Sequence, residues 1–179
     1  CFNFANSWSL PCEILHIGAV MPKSLRKKYF LNYYKTNDDF KPDWVIGAEM
    51  VMRTKDARAI GGFSTEYFMY TEDMDLCKKI SVILKKQIYF ISSVSLIHLG
   101  GASEAQNVNY NKQKKLFQND MIFVRKFYGE NEAKRMKQKA MKAYLLRKLL
   151  LTVAYWKKER SKHLSKTEEA YNILKNVEG

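Results

Sequence analysis

The sequence predicts a mixed α/β domain followed by a basic helical extension. Three observations lead to that class. Short apolar, β-prone runs at 44–52, 88–91 and 94–97 alternate with turn signals in the first part of the chain. From residue 109 onward, apolar residues recur at helical spacing instead. Charge divides the chain at nearly the same place. Residues 112–166 hold 17 Lys or Arg against four Asp or Glu, while the remainder holds 14 of each sign, so the whole net charge of +13 is confined to that region.

With 179 residues and 46% apolar content, the chain is long enough for a domain with a sizeable core. Cys1, Cys12 and Cys77 are widely spaced and lack metal-ligand spacing, which suits reduced thiols in a cytosolic protein. The first residues lack a basic region followed by a long apolar run, so no signal peptide is visible. Opening on Cys1 rather than Met is expected of a piece cut from a longer chain.

Taken in order, residues 13–17 suggest a short strand, and Gly18, Pro22 and Ser24 punctuate the passage after it. Leu25, Tyr29 and Tyr33 stand four apart and suit a short amphipathic helix over 25–34. Residues 37–43 read as a loop. The run 44–52 reads as a strand interrupted by Gly47 and Ala48, two small residues that allow a ligand or another backbone to come close. Thr54 is a suitable N-cap for a helix through Ile60, with Gly61 as the residue past its end. A helix over 73–84 places Leu76, Cys77, Ile80 and Leu84 on one face. Residues 88–91 and 94–97 form two short β-rich runs, the second ended by His98 before Gly100-Gly101. A helix carrying Leu116, Phe117, Met121 and Val124 ends at Gly129. A second helix over 131–158 has an apolar face of Met136, Ala140, Ala143/Tyr144, Leu150 and Ala154, and a last short helix over 166–176 is polar and peripheral.

The chemistry concentrates in 61–76. A double glycine is followed by Phe63, Tyr67, Phe68 and Tyr70, and then Glu72, Asp73 and Asp75 fall within four positions where a helix begins. Aromatic walls beside clustered acids suit a polar, ring-shaped substrate, and the lowered dielectric raises carboxylate basicity. The acids also suit the positive end of a helix dipole, so a purely structural role for all three stays open at this point.

This stretch resembles the acceptor-side motif of family 2 glycosyltransferases, the inverting GT-A enzymes, and in particular their rhamnosyltransferase-like branch. The resemblance rests on Gly47-Ala48, Met50-Val51-Met52, Arg53, Gly61-Gly62-Phe63, Glu66, Tyr67-Phe68, Tyr70, Glu72-Asp73 and Asp75-Leu76, followed by Ile97-His98-Leu99-Gly100-Gly101-Ala102-Ser103. It covers about residues 40–130. It implies that 1–108 is the acceptor-side half of a GT-A catalytic domain with a few strands in a mixed sheet, and that 109–179 is a helical extension. The nucleotide-binding half is absent from these residues, so the isolated piece is expected to be inactive.

The resemblance also implies roles. Asp73 is the catalytic base that takes the proton from the acceptor hydroxyl, and Glu72 binds acceptor hydroxyls or tunes Asp73. Trp44, Gly47, Ala48 and Tyr70 line the acceptor site. His98 ligates a divalent metal, Mg or Mn, whose other ligands lie in the missing half. Asp73-Met74-Asp75 formally matches the Asp-x-Asp metal motif. It follows an aromatic loop rather than an apolar strand, however, so Asp75 is expected to support the helix start or to pair with a nearby cation.

The expected function is transfer of a sugar from a nucleotide-sugar donor to a saccharide or lipid-linked acceptor with inversion, in the synthesis of a bacterial surface polysaccharide. The basic stretch 131–160, with its Leu, Tyr and Trp residues, suits either an anionic membrane surface, with a place on the inner face of the cell membrane, or an apolar face packed on the domain with its lysines solvated. It is too short and too charged to span a bilayer. Nucleic acid is the less favoured partner, because no reading motif or aromatic platform accompanies the cations. The alternative to an enzyme is a non-catalytic basic module bound to membrane or nucleic acid.

Overall fold

No strand forms among the described residues, and this overturns the expected α/β class. The computed structural model describes residues 2–34, 36–97, 112–153 and 159–177. Its regular elements are all helical, and only two isolated antiparallel bridges occur, Phe2 with Trp44 and Phe40 with Phe90. The chain divides into two units. One consists of Cys1–Phe4 and Pro22–Lys112, and the other of Ala5–Met21 and Gln113–Gly179. Residues 5–21 therefore belong with the helical tail.

The first unit contains α3 (Lys23–Tyr29), a 3₁₀ turn (Leu31–Tyr33), α4 (Thr54–Ala59) and α5 (Glu72–Ile83). The second contains α1 (Ser9–Ile14), α2 (Ile17–Val20), α6 (Lys112–Tyr128, its first residue falling in the first unit), α7 (Glu130–Val153) and α8 (Arg160–Lys175). The expected strand at 13–17 is thus the end of one helix and the start of the next.

Why 44–52 makes no sheet is visible in its partners. Two-residue alternation of the kind that suggests a strand holds only at 50–52. Met50 and Met52 pack on the core formed by Ile60, Leu76 and Ile80, while Val51 between them is 96% exposed. Its partner is helix α5 rather than another strand. The Gly47 N–H donates to Asp73 Oδ2 at 3.0 Å, and the Val45 N–H donates to the Cys77 sulfur. Asp73 and Cys77 stand one turn apart on one face of α5, so they meet alternate N–H groups of an extended chain. The runs at 88–91 and 94–97 fail for a related reason. One bridge joins Phe90 to Phe40, the Ser92 N–H and hydroxyl both donate to Asp39 Oδ1 at 2.7 Å, and Tyr89, Ile91, Val94, Leu96 and Ile97 stay exposed.

Helix α4 ends in a Schellman motif. The Gly62 N–H reaches the Ala57 carbonyl at 2.9 Å and the Gly61 N–H reaches that of Arg58 at 3.2 Å. Both glycines have positive φ, 73° and 62°, which a side chain would resist. Thr54 is the first helical residue and not the N-cap, since Arg53 holds that place.

The turn after α4 is tied to α5 by one buried carboxylate. Asp75 is fully buried, accepts from Ser64 Oγ at 2.6 Å and lies 3.6 Å from the Lys79 ammonium. Lys79 also donates to the Gly62 carbonyl and, at 3.1 Å, to Ser64 Oγ. Asp75 thus pairs with a nearby cation, as its sequence context suggests.

In the second unit, α7 packs against α1 and α8. Ala133, Ala140 and Ala143 are buried and let those helices approach closely, with Met136, Tyr144 and Leu151 filling the same face. Leu151 takes the buried place expected of Leu150, which is exposed instead; Ala154 lies outside the described residues. Arg147 donates to the Ile14 carbonyl, and Arg160 caps the end of α7 by donating to the carbonyls of Leu151 and Thr152 at 2.8 and 3.0 Å. Helix α8 is longer than the expected 166–176 and is not peripheral, since Thr167, Ala170 and Leu174 are buried.

Asp75→Ala should destabilise the chain by about 3 kcal/mol, because it strands the Lys79 charge in a buried site. Ser64→Ala should cost about 1 kcal/mol. Urea unfolding followed by circular dichroism measures both.

Candidate functional site

The N-terminus of α5 is where the expected acids meet the expected glycine. The chain reaches it through two successive residues in left-handed conformation, Tyr70 (φ 69°) and Thr71 (φ 73°). Neither is a glycine, and threonine is β-branched, so the turn stores roughly 1–2 kcal/mol per residue. Thr71 is the N-cap, yet its hydroxyl makes no capping bond, and its carbonyl accepts from the Asp75 N–H at 2.8 Å. Strain of this kind persists only where surrounding contacts hold it, and the buried Asp75, two residues past Asp73, supplies them.

Asp73 is half-buried and held by three backbone N–H groups. Gly47 donates to Oδ2 at 3.0 Å, Met74 donates to Oδ1 at 2.8 Å, and its own N–H contributes. Burial pushes its proton affinity above the ordinary aspartate value, and the three N–H groups only partly oppose that. Glu72 beside it also has a raised pKa. Burial is the main cause, its own backbone N–H opposes it, and the Asp73 charge adds to it. Glu72 Oε2 is buried and has no hydrogen-bond partner among the described residues. Such an oxygen is expensive to keep and is the kind of group a bound hydroxyl would satisfy.

Gly47 is exposed, and a Cβ built on it would meet Asp73 Cβ at 3.6 Å and Oδ2 at 3.9 Å. These are ordinary contacts, so a methyl group would fit and would cover one side of the carboxylate. Ala48 follows in the same turn and is exposed. Tyr70 is half-buried, with the Lys112 ammonium 5.2 Å from its ring centroid. Trp44 is half-buried. Its ring stacks on Phe2 at 4.5 Å, and its Nε1–H donates to the Asn3 carbonyl at 3.0 Å. His98 lies outside the described residues. No three His, Cys, Asp or Glu side chains among the described residues come together in a way that could hold a metal ion.

The same unit holds a cleft of about 630 Å³ away from these acids, lined by Phe2, Leu31, Tyr34, Phe40 and Phe90 with Lys23, Asn32 and Asp38 among its polar groups. None of the expected site residues lines it. Sequence reasoning also missed Ser64 and Lys79. The i, i+4 spacing of Asp75 and Lys79 was the available signal.

With this geometry in place, comparison with known proteins gives one partial likeness. The chain is similar to the rhamnosyltransferase WbbL of Escherichia coli (strain K12), with 36% identity over 56 residues. The match takes in 31% of this chain and 21% of that protein, so the chain spans about a fifth of the curated relative it matches. No protein-family model matches the chain, and no solved structure matches it.

The unpartnered Glu72 oxygen gives a signed prediction. A carboxyl whose folded pKa is raised binds its proton more tightly when folded, so stability falls as pH rises through the window above the unfolded pKa. At pH 7.5, above the unfolded carboxyl value, the penalty applies. Glu72→Gln should therefore raise unfolding stability by about 1 kcal/mol at that pH. The gain should vanish below about pH 4, where the glutamate is protonated in both states. Urea titrations at both pH values check this; a loss of stability at pH 7.5 would make Glu72 a helix-dipole partner instead.

Proposed function

We propose that this chain carries the acceptor-side chemistry of a glycosyltransferase of the inverting, family 2 type, with Asp73 as the base. The observation that supports it most is the half-buried Asp73 carboxylate, raised in proton affinity, gripped by the Gly47 N–H and set beside the unpartnered oxygen of Glu72. The partial likeness to a rhamnosyltransferase supports the same reading.

In the proposed step the acceptor hydroxyl loses its proton to Asp73 as its oxygen attacks the anomeric carbon of a nucleotide sugar. The new carbon–oxygen bond forms on the face opposite the departing nucleoside diphosphate, which leaves with the electron pair of the broken bond. Glu72 Oε2 accepts a second hydroxyl of the acceptor and orients it. Gly47 and Ala48 leave the carboxylate open on one side, and Tyr70 offers an aromatic wall. Trp44, its indole held by Phe2 and the Asn3 carbonyl, lines the acceptor site three residues before Gly47. The donor is a nucleotide sugar, and the acceptor is a saccharide or a lipid-linked saccharide of bacterial surface polysaccharide synthesis. A divalent metal with His98 among its ligands belongs to the same proposal. The described residues supply no metal set, so no step above depends on it.

The test uses the longest natural polypeptide that contains these 179 residues. Nucleoside diphosphate release is followed with a panel of nucleotide sugars and a saccharide-lipid extract, with and without Mg²⁺ or Mn²⁺. Asp73→Asn should lower turnover by about 10²–10⁴-fold, the usual contribution of a general base. Turnover should rise with pH until Asp73 is ionised, above the range of an ordinary aspartate. Gly47→Ala should keep the fold within about 0.5 kcal/mol and still reduce turnover, because its methyl group covers the carboxylate. Release that survives Asp73→Asn would place the base elsewhere.

A further inference from the structure

Helix α7 has two working faces. One is buried against α1 and α8 through Ala133, Met136, Ala140, Ala143, Tyr144 and Leu151. On the other, Leu145, Leu146, Leu149, Leu150 and Val153 stand at i, i+1, i+4, i+5 and i+8 and form one continuous stripe. Each is between 44% and 61% exposed. Five aliphatic side chains left in water on a single face are unusual for a surface helix. They span about 12 Å of helix axis.

The same face continues toward the N-terminus of α7 as a cationic surface. Lys134, Arg135 and Lys142 project within or at the edge of the angular range of the stripe, and all three are exposed. Lys134 pairs with Glu130 at 3.8 Å and Arg135 with Glu132 at 3.7 Å, exposed ion pairs that hold their cations only weakly. No acidic residue falls between these cations and the end of the helix, since 133–153 contains none. The region around it carries the entire excess charge of the chain.

We propose that this face of α7 lies on an anionic lipid surface, with the aliphatic stripe set into the acyl boundary and Lys134, Arg135 and Lys142 against lipid phosphates. Charge complementarity selects the occupant. A second copy of the chain fits poorly. A parallel pairing of two such faces sets cations against cations, and an antiparallel pairing centred on the stripe leaves the cations without acidic partners, since 133–153 contains none. Nucleic acid would satisfy the cations, but Leu and Val offer no stacking surface for bases. A lipid headgroup layer over an acyl interior matches both halves of the face at once. No helix among the described residues is long and apolar enough to cross a membrane, so the contact is one of lying on the surface. This inference stands on α7 alone and does not depend on the chemistry assigned to Asp73.

The test is vesicle co-sedimentation of the 179-residue chain with phosphatidylglycerol–phosphatidylcholine vesicles and with phosphatidylcholine alone. Binding should require the anionic lipid and weaken as salt rises. Leu145→Gln/Leu149→Gln/Val153→Gln should lower affinity at least about tenfold, and Lys134→Gln/Arg135→Gln/Lys142→Gln on the order of a hundredfold at low salt. None of these six side chains is buried, so thermal melting of both variants should match the parent chain. Failure to bind anionic vesicles, or equal binding by the Leu/Val variant, would overturn the proposal. Duplex DNA bound as tightly as the vesicles, with no effect of the Leu/Val variant, would assign the cations to nucleic acid. A concentration-dependent dimer lost in the Leu/Val variant would assign the stripe to a second copy.

Discussion

Everything at the candidate site depends on one buried carboxylate. Asp75 ties Ser64 and Lys79 together, and Lys79 reaches back to the Gly62 carbonyl. That small network clamps the whole turn from the double glycine to the first turn of α5. The Asp75 N–H also donates to the Thr71 carbonyl at 2.8 Å, which joins this network to the left-handed turn that leads to Asp73. An aspartate that is removed from water completely is tolerable only because its partners are all supplied locally, by the turn and the helix that it joins. The acid that does the holding and the acid that we assign to chemistry are two positions apart on the same helix, and their environments differ accordingly. One has its cation and its donors, whereas the other has backbone N–H groups but no cation among the described residues.

The extended segment 44–52 shows how strand-like sequence can be used without a sheet. Its alternation is confined to 50–52, and the surface it covers is a helix. Asp73 and Cys77 take the N–H groups that a neighbouring strand would have taken, and the methionines on the same side fill the core. Burial drives the Cys77 thiol up to about 11, so it is a packing group and a weak acceptor rather than a nucleophile. This arrangement explains why the glycine of the expected acceptor floor and the expected base are in contact although no sheet carries either.

Part of this was legible in the residues. The Gly61-Gly62 stop, the start of α5 among its acids, Gly129 between two helices and the confinement of charge to the tail each rest on a local rule that holds whatever the chain packs against. The α/β class did not survive, because β-prone residues at 44–52, 88–91 and 94–97 do not by themselves supply a partner strand, and 94–97 is exposed on both sides. Residues 13–17 are too short to show a period, and Leu150 and Leu151 exchanged places because neighbouring leucines give no phase. The grouping of Gly47 with Asp73 came from resemblance, and nothing in spacing alone joins positions so far apart in sequence. The strain at Tyr70 and Thr71 was invisible, since neither residue type announces a left-handed backbone.

Our central claim is that the fold raises the basicity of Asp73 while keeping it reachable. Side-chain carboxyl titration by ¹³C NMR measures this directly, with Glu72 resolved in the same spectra. The account predicts that both groups titrate above the ordinary carboxylate range, and that protonation of one shifts the other, as neighbouring acids must. An Asp73 that titrates at or below the ordinary aspartate value would contradict it and leave α5 with an acidic cap and nothing more.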